Sequence, residues 1–424
     1  MYFQGCGEHS DDCVEPQSTE AYPGDSRCTL AKAIRECSLS VPLPSTSNFE
    51  REWEFLCRCA SPEADTAEIA SRLCQGLDWN ILLQLADAHG MPGILAQRLQ
   101  QAAFAEVPAS ARETLQARIR AQSLFTLSMT AELFRIFQKF STAEVRSVLV
   151  KGPLISFLAY GDPSIRSYVD LDLLVRHRDI ARAVESMLAL GFHSDIPASA
   201  MRAGKIPGEY LFRRAGTQRV IELHTEQTFR YYPKRMPIDD LFARSRTLVL
   251  DGRKIPVLSL EDEFVLNCIH GAKHFWERLM WVSDVAAVIN RHPELDWHKA
   301  RHSAKQVGAE RMLSVGILVG ASLLRLKLPN AVAGLAEPDR AAESLCRQIQ
   351  GWLPFAGVTP PPLHKRAMFR LRMAGGGLTG FAYLMRLSFS PTQEDWTKGR
   401  EERSSWLWDS LRRPFRLFRK YGSD

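Results

Sequence analysis

Across residues 141–175 the spacing of apolar positions changes period twice. Val145, Val148, Leu149 and Val150 form a short apolar run, which predicts a strand over 145–150. A sharp Lys151-Gly152-Pro153 turn follows, then about two turns of helix and a polar loop through Gly161-Asp162-Pro163. From Val169 to Val175 the residues alternate, with Val169, Leu171, Leu173 and Val175 on one face and Asp170 and Asp172 on the other, the period of a strand.

Helical spacing dominates before this stretch. Trp53, Phe55 and Leu56, then Ile69, Leu73 and Leu77, then Ile81, Leu82 and Leu85 recur one turn apart, and Gly90 and Pro92 end the run. Ala111–Phe140 is a long amphipathic pattern whose apolar positions, Leu124 and Leu127 among them, read as core. After the acidic strand, Ile180–Leu190 reads as a helix stopped by Gly191. Tyr210–Arg214 and Arg219–His224 read as a hairpin around Gly216-Thr217. Pro233, Pro237 and Pro256 read as a connector, and Ser259 with Asp262 three residues on marks the start of a second helical region.

This order predicts an α+β fold, a small mixed sheet flanked by N-terminal and C-terminal helical regions. The expected divisions are a leader over 1–48, helices over 49–140, a sheet domain over 141–257, helices over 258–374 and a joint and tail over 375–424. The joint is Gly375-Gly376-Gly377. Met1–Gly5 matches a protease-tag scar, and the rest of the leader, rich in Ser, Asp, Glu and Pro, is expected to be disordered.

Composition adds limits. The chain has 424 residues, is 45% hydrophobic and 24% charged, and carries a formal charge of +6. From His364 onward 13 Lys and Arg face 6 Asp and Glu, a net of +7, so the rest sums to −1. The longest apolar stretch, between Arg311 and Arg325, is too short to span a bilayer, and the chain is expected to be cytoplasmic. Seven of nine cysteines lie in the first 74 residues, an odd total that argues against a disulfide framework. Cys6, His9 and Cys13 lack the paired knuckles of a zinc site.

The candidate chemistry gathers on the acidic strand. Asp170 and Asp172 on one strand face repel each other unless a cation lies between them, the outline of a hard-metal site. Lys151-Gly152 offers a turn and a charge for an anion, Arg166 enters the acidic strand, and Glu222 and His224 share the polar face of a later strand. Further on, His270, Lys273 and His274 fall on one helix face at i, i+3 and i+4. That face either contacts a triphosphate or base, or it braces helices through a His–Asp pair; His270, His274 and Asp284 could also form a second metal site. His89 reads as a helix-end cap, with a nucleotide contact as the alternative. From Ser404 to Tyr421 a basic amphipathic segment with Leu407, Leu411, Phe415 and Phe418 either docks on its own protein or lies peripherally on an anionic membrane.

Leu149-Val150-Lys151-Gly152 followed by Asp170-Leu171-Asp172 resembles the nucleotidyltransferase domain of the DNA polymerase β superfamily. More narrowly it resembles a poorly characterised bacterial nucleotidyltransferase family in which a Lys-Gly-Pro turn precedes an Asp-x-Asp strand. Leu85–Gly90, Glu222-Leu223-His224, His270–His274, Pro391-Thr392 and Asp395-Trp396 extend the likeness. The resemblance implies transfer of a nucleoside monophosphate from an NTP to an acceptor, which could be a small molecule, a peptide or protein, or RNA. It implies that Asp170, Asp172 and Glu222 are catalytic and bind two Mg²⁺ ions, with Mn²⁺ as a substitute. Lys151, Gly152, Arg166, Lys273, His270 and His274 would bind nucleotide and phosphate. The wider superfamily has Gly-Ser where this chain has Gly152-Pro153, which shifts phosphate binding toward Lys151 and Arg166. The rival readings are a nucleotide-binding regulator with weak turnover and a membrane-surface adaptor using the basic tail.

Overall fold

A computed structural model describes residues 49–202, 208–217, 219–225, 234, 237–333, 339–356, 362–389, 411–416 and 419. The leader, the Cys6/His9/Cys13 group, Pro233, Pro391-Thr392, Asp395-Trp396, Leu407 and Phe418 lie outside the described residues.

Among the described residues five helices come first: α1 (Glu50–Ala60), α2 (Thr66–Leu73), α3 (Trp79–Ala88), α4 (Pro92–Ala102) and the 34-residue α5 (Ala109–Thr142). Asp65 and Asp78 cap α2 and α3 by accepting N–H groups of the first turn. Beyond the end of α3, His89 is buried, its Nδ1 accepts the Leu279 N–H at 3.2 Å and its ring lies 5.0 Å from Trp53. Burial, aided by Arg278, pushes its pKa down to about 3, so His89 joins α3 to a distant helix as a neutral brace. In α5, Leu124 and Leu127 are 69% and 65% exposed, not core. That stretch of the helix turns Phe125 inward instead, 5.7 Å from the Tyr168 ring.

The middle of the chain forms β1 (Ser147–Val150), α6 (Gly152–Tyr160), β2 (Asp170–Val175), α7 (Ile180–Ala189), β3 (Phe192–His193), α8 (Ala198–Arg202), β4 (Glu209–Arg214), β5 (Val220–His224), α9 (Ile238–Ala243), β6 (Arg246–Leu250) and β7 (Arg253–Val257). These strands make one seven-stranded mixed sheet in the order β3-β4-β5-β2-β1-β7-β6. The sheet is larger than the sequence pattern suggests. β6 and β7 occupy the expected connector, turned by Asp251 and Gly252, both at positive φ, the two-residue loop that matches strand twist. β2 begins at Asp170, and Val169, expected on the apolar face, is 47% exposed.

The following helices are α10 (Leu260–Lys273), α11 (Leu279–Arg291), α12 (Trp297–Val307), α13 (Glu310–Leu324), α14 (Asn330–Ala333), α15 (Arg340–Trp352), α16 (Leu363–Met373) and α17 (Gly377–Phe389). Ser259 caps α10 by accepting the Asp262 N–H. One continuous core runs from Phe49 to Met373 through helices and sheet alike. A second small cluster, Ala374, Tyr383 and Leu387, lies at α17. Residues 411–416 are helical, with Arg413 buried and its Nε donating to the Leu387 carbonyl at 3.4 Å. Leu411 and Phe415, part of the apolar stripe read from the sequence as either docking on the protein or lying on a membrane, face outward at 54% and 79% exposure. No described helix is long and apolar enough to cross a membrane.

Candidate functional site

The sheet register builds the site. β2 and β5 run parallel with Asp172 opposite Glu222 and Leu174 opposite His224. β1 runs antiparallel to β2 with Val150 opposite Asp172. Because side chains alternate along each strand, Asp170, Asp172, Glu222 and His224 share one face, and Lys151 enters it directly from the end of β1.

The contacts are short. Lys151 Nζ lies 2.7 Å and His224 Nε2 2.6 Å from the same oxygen of Asp172, and His224 Nε2 is 3.4 Å from Glu222 Oε2. Asp172 and His224 are buried, and Glu222 is half-buried. Burial opposes ionisation of Asp172, yet Lys151 and His224 outweigh it and hold the carboxyl below the usual carboxylate range. Burial and Lys151 oppose protonation of His224, but its bonds to Asp172 and Glu222 push it up to about 9. Asp170 goes the other way: burial, then the charges of Asp172 and Glu222, raise its carboxyl well above the usual range.

The turn at Lys151 is strained. Lys151 has φ 54° and ψ −149°, and Gly152 has φ 43°. Only glycine adopts such angles freely, so Lys151 is held there by its surroundings. Its N–H donates to Glu263 Oε1 at 2.8 Å across 112 residues of chain, and its ammonium is fixed on Asp172. Pro153 suits the first turn of α6, where an N–H would lack a helical partner. Glu263 is itself buried on α10 and its Oε2 has no hydrogen-bond partner. Burial pushes its pKa up to about 7 against the pull of the Lys151 N–H. Sequence pattern alone missed Glu263; an acid among apolar neighbours in Glu263-Phe264-Val265-Leu266 was its one local signal.

Arg166, expected at the phosphate, is buried and engaged by a carboxylate. Its Nε donates to Asp284 Oδ2 at 2.7 Å, both groups buried, and Tyr160 donates to Asp284 Oδ1 at 2.9 Å. This triad joins α6, the loop before β2 and α11, so a buried Arg–Asp pair supplies the brace expected of a His–Asp pair. Asp284 is thereby held by Arg166 and Tyr160, and among the described residues it makes no three-ligand group with His270 and His274. The Arg166 charge still acts on Asp170.

His270, His274 and Trp281 form a ring triangle with centroids 4.7, 5.3 and 5.3 Å apart. Burial first, and then surrounding cations, hold both histidines well below the ordinary imidazole pKa. Lys151 and Lys273 act on both, Arg166 on His270, and Arg370 and Arg278 on His274. Arg278 sits 5.8 Å over Trp281, and Arg370 4.8 Å over Phe275. Nδ1 of His270 is buried without a hydrogen-bond partner. Two neutral rings inside a group of cations make a region suited to anions.

The donor set fits a cation on the acidic side. Asp172, Glu222 and His224 each offer an atom within 4.8 Å of the others, and no other such group of three occurs among the described residues. Asp170 adds a carboxyl whose ionisation is opposed by nearby negative charge, the condition a divalent ion relieves. Acidic and basic regions thus adjoin through Lys151.

A model of a protein family described as an uncharacterised nucleotidyltransferase matches residues 75–325, more than half of the chain. Among solved structures, an antigenic nucleotidyltransferase-like protein from Paracoccidioides brasiliensis is similar at 18% identity. That likeness covers 49% of this chain and 95% of the other, with a TM-score of 0.32. No curated protein matches.

Proposed function

The chain belongs to that nucleotidyltransferase family, and from this premise we propose that it transfers a nucleoside monophosphate from an NTP to an acceptor. The observation that carries the reading is the β2–β5 register, which sets Asp172 beside Glu222 on the face that Asp170 and Lys151 share. In this reading Asp170, Asp172 and Glu222 hold two Mg²⁺ ions, with Mn²⁺ as a substitute that tolerates the nearby imidazole better. Bound there, the ions would offset triphosphate charge and lower the pKa of the acceptor hydroxyl.

The chain's own groups do the rest. Glu222, half-buried, takes the proton from the acceptor. The acceptor oxygen bonds to the α-phosphorus, the bond to the β-phosphate oxygen breaks, and pyrophosphate leaves. Lys151 and Gly152, with the Arg166 charge behind them, offset the charge on the leaving group. Lys273, His270 and His274 line the cationic side and contact the nucleotide, with Trp281 offering a ring for the base. His224, within 2.6 Å of Asp172 and 3.4 Å of Glu222, would be the proton-bearing counterion of the site and would give up its proton if a cation displaced it from Asp172.

A second reading is a nucleotide-binding regulator with weak turnover. It draws on Pro153 and on Lys151 Nζ lying 2.7 Å from Asp172, where it competes with a metal ion. Incubation with each α-labelled NTP, Mg²⁺ and a cell lysate separates the two. The transferase reading expects one labelled product, absent with Asp172→Asn; tight NTP binding with no labelled product from any nucleotide would favour the regulator.

A further inference from the structure

Eleven large apolar side chains are exposed among the described residues, and six of them, Met368, Leu378, Phe381, Phe389, Leu411 and Phe415, lie beyond residue 367. Their placement is ordered. On α17, Leu378, Phe381, Ala382, Met385 and Phe389 fall within about 100° of the helix circumference, since each residue advances about 100°. Gly380, Tyr383 and Leu387 on the opposite side are buried. That inner side packs closely: a Cβ on Gly380 would come within 2.4 Å of the Leu371 carbonyl oxygen. The outer stripe is therefore a second apolar face on a helix whose core side is already covered.

The terminal helical residues repeat the arrangement. Arg413 points inward onto the Leu387 carbonyl while Leu411 and Phe415 point out. A segment that folded only to cover its own protein would turn the opposite way, because burying phenylalanine is favourable and burying arginine is costly. The charge of the same region is +7 over residues 364–424, against −1 for the rest of the chain. Lys365, Arg412 and Arg419 are exposed there.

We propose that α17 and residues 411–416 form a face that binds an anionic lipid surface. Leucine and phenylalanine side chains would enter the acyl boundary, and the lysines and arginines would meet the phosphate headgroups, the division of labour of a helix lying in the interface plane. A nucleic acid fits less well, because the outward side chains of α17 are aliphatic and phenyl and stand on a convex helix rather than in a cationic groove. The proposal is independent of the nucleotidyltransferase reading. α16 packs on α17, and its Arg366 lies 3.3 Å from Glu277 and 5.2 Å over the Phe275 ring, beside His274.

The test is co-sedimentation of the full chain with phosphatidylglycerol vesicles and with phosphatidylcholine vesicles. The expected result is pelleting with the first and not the second, weakened several-fold by high salt. Phe381→Asp combined with Phe415→Asp should cut pelleting at least tenfold and leave the melting temperature unchanged, since both side chains are exposed. Parent protein that stays in solution with anionic vesicles would overturn the proposal, as would a double variant that pellets like the parent. A parent dimer that the same substitutions dissociate would assign the face to a second copy of the chain. RNA binding that the substitutions abolish, without vesicle binding, would assign it to nucleic acid.

Discussion

Replacing Glu263 by Gln isolates the cost of holding the strained Lys151 turn with a buried carboxyl. Its ordinary pKa of 4.5 is pushed up to about 7 by burial. Between those values the folded chain keeps a proton that the unfolded chain has released, so stability falls as pH rises through the window and levels off above about 7. The difference corresponds to about 3 kcal/mol. Glutamine keeps an oxygen for the Lys151 N–H, which Glu263 accepts at 2.8 Å, and carries no titrating charge. Glu263→Gln should therefore gain on the parent by about 3 kcal/mol between pH 5 and pH 8. Urea unfolding of both proteins at several pH values reads this directly. Parallel stability profiles would refute the reasoning. A variant that loses ground with rising pH would show instead that an ionised Glu263 pairs with Lys151.

Asp170 and Asp172 should respond in opposite directions. Asp170→Asn removes a half-buried carboxyl opposed by its neighbours and should leave the melting temperature level or raise it; Asp172→Asn strips the partner from Lys151 and His224 and should cost about 3 kcal/mol. Equal shifts in thermal unfolding would contradict the charge arrangement. Glu222→Gln should lower turnover about a hundredfold or more while NTP affinity, read by titration calorimetry, stays within a few-fold; a comparable loss of affinity would remove Glu222 from the proton-transfer role. Gly380→Val should separate α16 from α17 at a cost of about 1–3 kcal/mol, seen as faster amide exchange confined to those helices. Unchanged exchange there would mean that the close approach to Leu371 is unimportant.

The sheet at the centre of the site was legible because its signals are local. Alternation over Val169–Val175, the Lys151-Gly152-Pro153 turn and the Gly216-Thr217 hairpin each depend on neighbours a few residues apart. The β6–β7 hairpin carried an equally local sign in Asp251-Gly252, but β6 is mostly exposed and Pro256 lies within β7, which blurred the strand pattern. Partners far apart in the chain could not be read. Arg166 meets Asp284 across 118 residues and Glu263 meets Lys151 across 112, so neither the buried brace nor the hold on the turn follows from spacing. Periodicity also tells which residues share a helix face without telling which way the face turns. Leu124, Leu127, Leu411 and Phe415 share this cause: each lies on a genuine apolar stripe that the surrounding structure leaves outward.

Whether the acidic face performs nucleotidyl transfer is tested most directly by following the α- and γ-phosphates of the same NTP separately, with Mg²⁺ or Mn²⁺ and the acceptor found in the lysate. The account predicts that the α-label moves to the acceptor, the γ-label leaves as pyrophosphate, and Asp172→Asn stops both. Movement of the γ-label to the acceptor, or transfer that survives in the Asp172→Asn protein, would contradict it.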